Sequence, residues 1–177
     1  MNKVNRKILL LGYKLVIKHL PDGNSRKKST KIWWEIRRKW CKLLFEYCGD
    51  NVHIQKNVFF GSGSGVEIGN NSGLGNGSQI PSNIKIGSNV MMGPKCCILS
   101  VNHNYTRTDI PMIQQGISDV QKTIIEDDVW IGQQVLITPG RYIRKGTVIA
   151  AGSVVTKDFP AYSIIGGNPA KIIKMRQ

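Results

Sequence analysis

The stretch Ile125-Glu-Asp-Asp-Val-Trp-Ile131-Gly-Gln-Gln-Val-Leu-Ile137-Thr-Pro-Gly-Arg-Tyr-Ile143 places an aliphatic residue at every sixth position. The spacing continues to Ile149 and Val155. It also occurs upstream, at Ile68, Leu74, Ile80, Ile86, Met92 and Ile98, preceded after a two-residue slip by Ile54 and Phe60. A strict period of six matches neither the 3.6-residue period of a helix nor the simple alternation of a strand. It is typical of a protein built from short stacked repeats.

Other positions of the six-residue unit support this interpretation. The second position is often glycine, at Gly69, Gly75, Gly87, Gly93 and Gly132. The fifth is usually small or β-branched, at Ser72, Ser78, Val90, Cys96, Val129, Val135, Thr147 and Ser153. A tight corner and two inward side chains per unit predict a solenoid of short strands, in which each coil stacks on the next. The predicted fold class is mainly β.

Two segments lie outside the repeats. Residues 1–50 are predicted to form a basic helical N-terminal segment, divided into two helices by Leu20-Pro-Asp-Gly-Asn-Ser25. Its second helix carries an apolar stripe of Trp33, Trp34, Ile36, Trp40, Leu43, Leu44 and Tyr47. The β domain is predicted over 51–177, with one interruption at 103–123. Because regular spacing resumes afterwards, the interruption should project as a loop, and such loops often carry function.

The formal net charge of +14 is concentrated near the N-terminal end. Residues 1–50 contain 13 Lys and Arg against 4 Asp and Glu, whereas the remaining residues contain 12 against 7. This excess favours an anionic partner such as a membrane surface or a phosphorylated lipid carrier. Nucleic acid is a competing partner, but a mixed Trp, Lys and Arg stripe fits membrane contact or subunit packing at least as well. No nucleic-acid partner is therefore predicted.

Cysteine usage predicts neither a metal site nor a disulfide framework. The cysteines are Cys41, Cys48, Cys96 and Cys97, and none form a CxxC pair. The apolar run at 8–17 contains Lys14, lacks a small-residue cleavage site, and is about half the length of a membrane span. We therefore expect a cytoplasmic protein with reduced thiols that can rest on the inner face of the membrane through residues 1–45.

Three C-terminal motifs accompany the repeats: Asp128-Val-Trp-Ile-Gly132, Ala150-Ala-Gly-Ser-Val-Val-Thr-Lys-Asp158 and Gly167-Asn-Pro-Ala-Lys171. With the repeats, they resemble the hexapeptide-repeat acyltransferases over about residues 50–177. The most similar branch contains maltose and galactoside O-acetyltransferases and enzymes that acetylate bacterial surface polysaccharides. The resemblance implies a left-handed parallel β-helix, a homotrimer and acetyl-CoA held between neighbouring subunits. It implies direct acetyl transfer to a hydroxyl, with no metal required.

His103 is the predicted general base. It begins the projecting loop, within Val101-Asn-His-Asn-Tyr105, and this position matches the catalytic histidine of the family. An imidazole can accept a proton near neutral pH without special burial. His19 lies in the basic helical segment and His53 precedes the first clear repeats, so neither is favoured.

The resemblance also implies residues for both substrates. Ala151 and Gly152 match small residues along the pantetheine arm of CoA, and Gly132 and Gln133 match the stretch whose backbone amide lies near the thioester. Thr156 and Lys157 match residues near the nucleotide, where Lys171 could assist. Trp130 matches an aromatic residue that lines the active site, although packing between subunits would explain it nearly as well. Asn102, Asn104 and Asp109 could hold the acceptor or orient the histidine.

The basic N-terminal segment departs from enzymes that acetylate free disaccharides, which carry acidic acceptor-binding residues there. A sugar of a lipid-linked O-antigen or capsule fits better, so the predicted function is O-acetylation of a carbohydrate hydroxyl. The alternatives are a serine O-acetyltransferase, an amino-sugar N-acyltransferase and a non-catalytic hexapeptide module.

Overall fold

The computed structural model describes residues 3–22, 31–119 and 121–177. Its two α-helices are α1 (Lys3–Leu15) and α2 (Lys31–Leu44), and short 3-10 helices occur at Ile17–His19 and Met112–Gln114. The strands are β1 (Tyr47–Cys48), β2 (His53–Ile54), β3 (Gly65–Ile68), β4 (Gly73–Leu74), β5 (Asn83–Ile86), β6 (Met91–Met92), β7 (Cys97–Ile98), β8 (Thr123–Ile125), β9 (Trp130–Ile131), β10 (Leu136–Ile137), β11 (Tyr142–Ile143), β12 (Val148–Ile149), β13 (Val154–Val155), β14 (Ser163–Gly167) and β15 (Ala170–Met175).

The strands stack into three parallel sheets that form the sides of a solenoid. Sheet A contains β1, β3, β5, β8 and β11, and sheet C contains β7, β10 and β13. Sheet B contains β2, β4, β6, β9, β12 and β14, and β15 adds to its edge in the antiparallel direction. Trp130 lies beside Val148, and Leu136 beside Val154, eighteen positions along the chain. Three six-residue units therefore make one coil, which confirms the predicted parallel β-solenoid.

The register of the strands locates both irregularities of the repeat. Leu136 lies beside Cys97 at a separation of thirty-nine positions, which is one coil plus twenty-one inserted residues. These residues leave after β7 and return at β8, where the chain passes from sheet C to sheet A. Phe59 pairs with Gln79 at twenty positions, but Gly65 pairs with Asn83 at eighteen. The two-residue slip therefore falls just before Gly65, so both insertions lie at a corner and leave the stacked sheets intact.

The six-residue period confirms the predicted core. All twelve aliphatic positions from Ile68 to Val155 are buried, none more than 7% exposed. The small fifth-position residues are buried as well, and the hydroxyls of Ser72 and Ser78 donate hydrogen bonds between coils. Ser72 Oγ donates to Gly87 O (2.7 Å) and accepts from Val90 N (3.0 Å). The buried hydroxyl is therefore fully paired and adds no desolvation penalty.

The corners depend on a position that the sequence pattern did not indicate. The fourth residue of nine units has a positive φ: Asn71, Gly77, Asn89, Lys95, Asp128, Gln134, Gly140, Gly146 and Gly152. The unit that begins at Ile80 is an exception, because its fourth residue, Asn83, begins strand β5. Asn, Asp and Gly tolerate this conformation better than other residues. The second-position glycines serve a different purpose, because a Cβ on Gly75 would lie 2.0 Å from Gly93 O of the next coil. They permit close approach of backbones.

Gly75→Ala should therefore destabilise the protein by about 2–3 kcal/mol, because the clashing atoms belong to the backbone of the adjacent coil. Gly73→Ala is the matched control, since its Cβ would meet nothing closer than His53 O at 3.6 Å. We expect the control to stay within about 1 kcal/mol of the unchanged protein in urea unfolding. Equal urea midpoints for the two variants would show that close packing at this corner does not contribute to stability, and would contradict the prediction.

The two helices pack against the first coil. Tyr13 of α1 donates its hydroxyl to Val58 O (2.9 Å), and its ring meets that of Phe60 at a tilt of 46°. The side chain is buried, which raises the pKa of Tyr13. α2 buries Cys41 and Leu44. The predicted helix break at 20–25 is visible up to residue 22, and its remaining residues lie outside the described part of the chain. Within that part, neither helix is long and apolar enough to cross a bilayer.

Arg37 joins α2 to the chain that follows α1. Its guanidinium is fully buried and donates to Ile54 O (3.0 Å), Pro21 O (2.6 Å) and Leu20 O, with the Asp22 carboxylate 3.4 Å away. Burial lowers the pKa of Arg37 while Asp22 opposes that shift. The side chain nevertheless stays charged, because an arginine does not deprotonate in proteins.

Arg37→Met should cost about 3–5 kcal/mol of unfolding free energy, because the buried Ile54 carbonyl and the partly buried carbonyls of Leu20 and Pro21 lose their donor. Arg38→Met, one residue along the same helix, removes a surface ion pair with Glu35 and should cost less than about 1 kcal/mol. Thermal unfolding of both variants measures the difference, and a tolerated Arg37→Met would contradict the assigned role.

Candidate active site

The root of the projecting loop holds His103 in place. Asn102 O accepts hydrogen bonds from Ser118 N (2.9 Å) and Ser118 Oγ (3.0 Å), and Asn104 N donates to Gly116 O (3.1 Å). Between them, His103 forms an antiparallel bridge with Ile117. Residues 102–104 and 116–118 therefore form a short two-stranded root. The imidazole itself is exposed, so a reactant can reach it.

The other predicted loop residues have partners inside the loop. Asn104 Nδ2 donates to Gln115 O (3.0 Å). Asp109 forms an exposed ion pair with Arg107, whose Nε lies 2.9 Å from Oδ1, and this hydrogen bond lowers the pKa of Asp109. Because the carboxylate is already engaged, Asp109 is better placed to shape the loop than to hold an acceptor. Arg107 and its role were not indicated by the sequence pattern.

Four predicted CoA-binding residues meet where the coil passes from sheet B to sheet C, here called the B–C corner: Gly132, Gln133, Ala151 and Gly152. A Cβ on Gly132 would lie 2.5 Å from Ala151 N, so the two coils are in direct backbone contact. Gly132 N donates to Ile149 O (2.8 Å), and Gly152 N donates to Gln133 O (2.9 Å). Within the described residues, the amides of Gln133 and Ala151 donate no such bond. The Gly132 amide is therefore engaged between coils, whereas the amides of Gln133 and Ala151 are not engaged by any described residue.

Trp130 lies two residues before Gly132 on the outer face of sheet B. Its side chain is 53% exposed, and its neighbours in the same row are Met91 and Val148. An exposed apolar row on a sheet is typical of a ligand groove or a contact between subunits. Both interpretations of Trp130 therefore remain compatible with its position.

The remaining predicted residues lie elsewhere on the surface. Thr156 and Lys157 follow β13 at the corner between sheets C and A, here called the C–A corner, which is also where the loop leaves. Thr156 O accepts from Arg141 Nη1 (3.2 Å), and the Lys157 ammonium lies 5.6 Å from the Phe159 ring centre. Lys171 is exposed on β15, opposite Gly166 at the edge of sheet B.

Within one chain, the predicted base and the B–C corner lie at opposite edges of sheet C. About five residues separate Gln133 from Thr138 along one coil, which is roughly 16 Å at about 3.3 Å per residue. An imidazole that must lie within hydrogen-bond reach of the reacting group cannot span that width. The structure therefore does not bring His103 together with Gln133 and Ala151 in a single copy.

A depression of about 240 Å³ lies beside the loop root on sheet C. Phe59, Gln79 and Cys97 form part of its floor, and Leu99 and Ser100 lie at the edge that leads to His103. Phe59 is 48% exposed. The six-residue pattern could not predict this depression, because the pattern repeats only at inward and corner positions and the outward residues vary from coil to coil.

His53 is held in a structural environment instead. Its ring meets Trp34 edge-on at 4.7 Å between ring centres, its Nε2 lies 3.1 Å from Asn51 Oδ1, and burial lowers its pKa. It lies on the first strand of sheet B, away from the loop. Among the described residues, no group of three His, Cys, Asp or Glu side chains is arranged to hold a metal ion.

Comparison with known proteins agrees with this architecture. The family described as bacterial transferase hexapeptide (six repeats) matches residues 122–157, and the hexapeptide repeat of succinyl-transferase matches residues 51–80. A putative acetyltransferase of Saccharomyces cerevisiae is 37% identical over 157 residues, covering 88% of this chain and 74% of that protein. The galactoside O-acetyltransferase of Escherichia coli is 34% identical over 146 residues, covering 79% and 68%.

Two solved structures extend the similarity to the whole chain. A maltose O-acetyltransferase from Clostridium difficile 630 has a TM-score of 0.73 at 28% identity, covering 98% of this chain and 91% of that one. A galactoside acetyltransferase in complex with coenzyme A has a TM-score of 0.64 at 25% identity, covering 98% and 80%. The stacked repeats define a hexapeptide-repeat transferase. The chain belongs to the hexapeptide-repeat acetyltransferase family and is an acetyl-CoA-dependent acyltransferase.

Proposed function

We propose that this enzyme transfers the acetyl group of acetyl-CoA to a hydroxyl of a carbohydrate, with His103 as general base. The supporting observation is the loop root, which presents an exposed imidazole on a hydrogen-bonded two-stranded scaffold beside a depression. The similarity of this chain to a galactoside O-acetyltransferase and to a maltose O-acetyltransferase supports a sugar hydroxyl as acceptor.

The transfer needs two groups of this chain, a base and a donor for the oxyanion. His103 removes the proton of the acceptor hydroxyl as its oxygen attacks the thioester carbonyl. The oxyanion of the tetrahedral intermediate accepts a hydrogen bond from the amide of Gln133 or Ala151, neither of which donates a hydrogen bond to another coil in the described part of the chain. The intermediate then collapses with cleavage of the carbon–sulfur bond, and the imidazolium returns its proton to the departing CoA thiolate. The products are the acetyl ester and free CoA.

In the proposed mechanism, the remaining predicted residues bind CoA. Ala151 and Gly152 border the pantetheine arm, and a Cβ on Gly152 would meet no atom within 4 Å, as expected beside an open groove. Thr156, Lys157 and Lys171 supply hydroxyl and ammonium donors for phosphates. Trp130 lines the groove near the thioester.

The active site is proposed to form between two copies of the chain in a trimer. His103 of one copy and the B–C corner of the next would complete one site, because one copy holds these elements at opposite edges of sheet C. A cyclic trimer repeats the same pairing three times and so forms three equivalent sites.

The acceptor is proposed to be a sugar of a bacterial surface polysaccharide, carried on a lipid. The depression beside the loop root offers Phe59 as an apolar platform and Gln79 as a polar partner. Asn102 and Asn104 follow its last lining residue, Ser100, within four positions of the chain and are proposed to contact the acceptor there. The net charge of +14 suits a phosphorylated carrier. We place the reaction in the cytoplasm, in keeping with four free cysteines.

His103→Ala should lower kcat on the order of 10²–10⁴-fold, because the hydroxyl loses its base. Thiol release from acetyl-CoA measures the effect across a panel of sugars, nucleotide sugars, amino sugars and serine. His19→Ala, also at an exposed histidine, is the matched control and should retain activity. Full activity of His103→Ala would remove its assigned role. Thiol release with serine alone, or with an amino sugar alone, would show that the acceptor is not a carbohydrate hydroxyl. If the unchanged enzyme released no thiol with any acceptor of the panel, a non-catalytic module would be favoured.

Coexpression of two inactive variants tests the shared site. Ala151→Trp blocks the B–C corner at an exposed position, whereas His103→Ala removes the base. Random mixing in trimers pairs an intact His103 with an intact corner at about a quarter of the interfaces, so about a quarter of the original activity should return. If base and corner served the same chain, the mixture would stay as inactive as either variant alone.

A further inference from the structure

Helix α1 carries an apolar stripe that nothing in the described structure covers. The stripe consists of Val4, Ile8, Leu11 and Leu15, which are 61%, 64%, 57% and 66% exposed. Their spacing of four, three and four residues places them in one row along the helix. A single exposed aliphatic residue needs no explanation, but four aligned on one short helix form a continuous apolar surface.

The orientation of this stripe is fixed by contacts on the opposite face of α1. Tyr13 lies two residues from both Leu11 and Leu15, about 200° around a helix with 3.6 residues per turn. It is buried against Val58 and Phe60. Arg6 donates to Ser62 O (2.8 Å) and to Leu44 O at 2.5 Å. The helix therefore cannot turn its stripe inward without losing these contacts.

The charge of α1 restricts what can cover the stripe. The helix has four basic residues, Lys3, Arg6, Lys7 and Lys14, and no acidic residue. Lys7 and Lys14 are exposed and lie one residue before Ile8 and Leu15, along one flank of the stripe. A second copy would bring the same positive flank against this one, which opposes pairing of two such faces. An anionic surface that also accepts apolar side chains is complementary both to the apolar stripe and to its basic flank.

We propose that α1 docks the enzyme onto the surface of an anionic lipid bilayer. A helix of 13 residues, about 20 Å long, would lie in the plane of the surface with the stripe at the boundary between headgroups and acyl chains. The lysine flank faces the anionic headgroups. The proposal goes beyond acetyl transfer, and it would stand if the acceptor were not a carbohydrate.

The structure assigns the docking to α1 and not to the tryptophan-rich stripe of α2. On α2, Trp40 donates its indole N–H to Leu9 O (3.0 Å), and Cys41 and Leu44 are buried in the core. Ile36 and Trp40 also pack against the core, so these residues of α2 are used within the protein, although Ile32 and Leu43 are 56% and 55% exposed. The apolar stripe of α1, on the side opposite Tyr13, has no such packing within the described residues.

Flotation of the full-length protein with vesicles tests the docking. The unchanged protein should bind vesicles of phosphatidylcholine with phosphatidylglycerol, bind phosphatidylcholine alone weakly, and lose binding as salt rises. Ile8→Glu with Leu11→Glu should weaken binding at least about tenfold. Met112→Glu with Ile113→Glu makes the same charge change at residues 64% and 89% exposed on the loop, and it should bind as the unchanged protein does.

Light scattering and circular dichroism of the same variants decide between the occupants of the stripe. A folded α1 variant that keeps its oligomeric state but leaves the vesicles supports docking. A variant that dissociates would show that the stripe joins copies of the chain, and it would overturn the proposal. Binding unchanged in the α1 variant would overturn it too. Thiol release with a soluble acceptor should be unaffected by the α1 variant, so failure of docking and failure of acetyl transfer are measured separately.

Discussion

Backbone hydrogen bonds between successive coils hold this protein together. Gly87 N donates to Ile125 O at 2.7 Å on sheet A, Gly93 N to Ile131 O at 2.8 Å next to sheet B, and Leu99 N to Ile137 O at 2.9 Å next to sheet C. These bonds bring the coils to the usual strand spacing of about 4.8 Å on all three sides. At that distance, each inward side chain contacts the one above it. A Cβ at a second-position glycine would clash with the backbone of the next coil and push the two coils apart.

The same constraint explains where function can be added. An insertion within a strand would shift every later residue out of register with the coil below. An insertion at a corner leaves the register unchanged, and the resumption of pairing at Ile84 with Thr123 shows this directly. The loop that carries His103 can therefore be long without weakening the scaffold. Its own order comes from short-range bonds, such as Gln115 Nε2 to Arg107 O at 2.8 Å.

The sequence predicted the parts of the structure that repeat. A period of six identified the core from Ile68 to Val155 because each of these residues meets the same surroundings in every coil. The positive φ of the corner residues could not be predicted from the sequence. Asn, Gly, Asp, Lys and Gln all adopt it at that position, and their side chains have no chemical property in common that would reveal the pattern. The position of His103 at the loop root could be predicted from where the period stops. The engagement of the Gly132 amide by Ile149 could not, because it depends on which coil lies above.

The packing of the N-terminal helices could also be predicted only in part from the sequence. A composition rich in Trp, Lys and Arg indicated an amphipathic segment, but amphipathicity does not say which apolar face the protein itself uses. That choice follows from individual contacts. Arg37 fixes α2 through three carbonyls, and Trp40 fixes α1 against it, so one side of α2 becomes core. Once α2 occupies the end of the solenoid, Tyr13 can reach Val58 only if Ile8 and Leu11 point away from the protein. The exposed stripe is therefore a consequence of how the first coil is closed, and its place on a helix without acidic residues is the basis of the proposed docking on an anionic lipid surface.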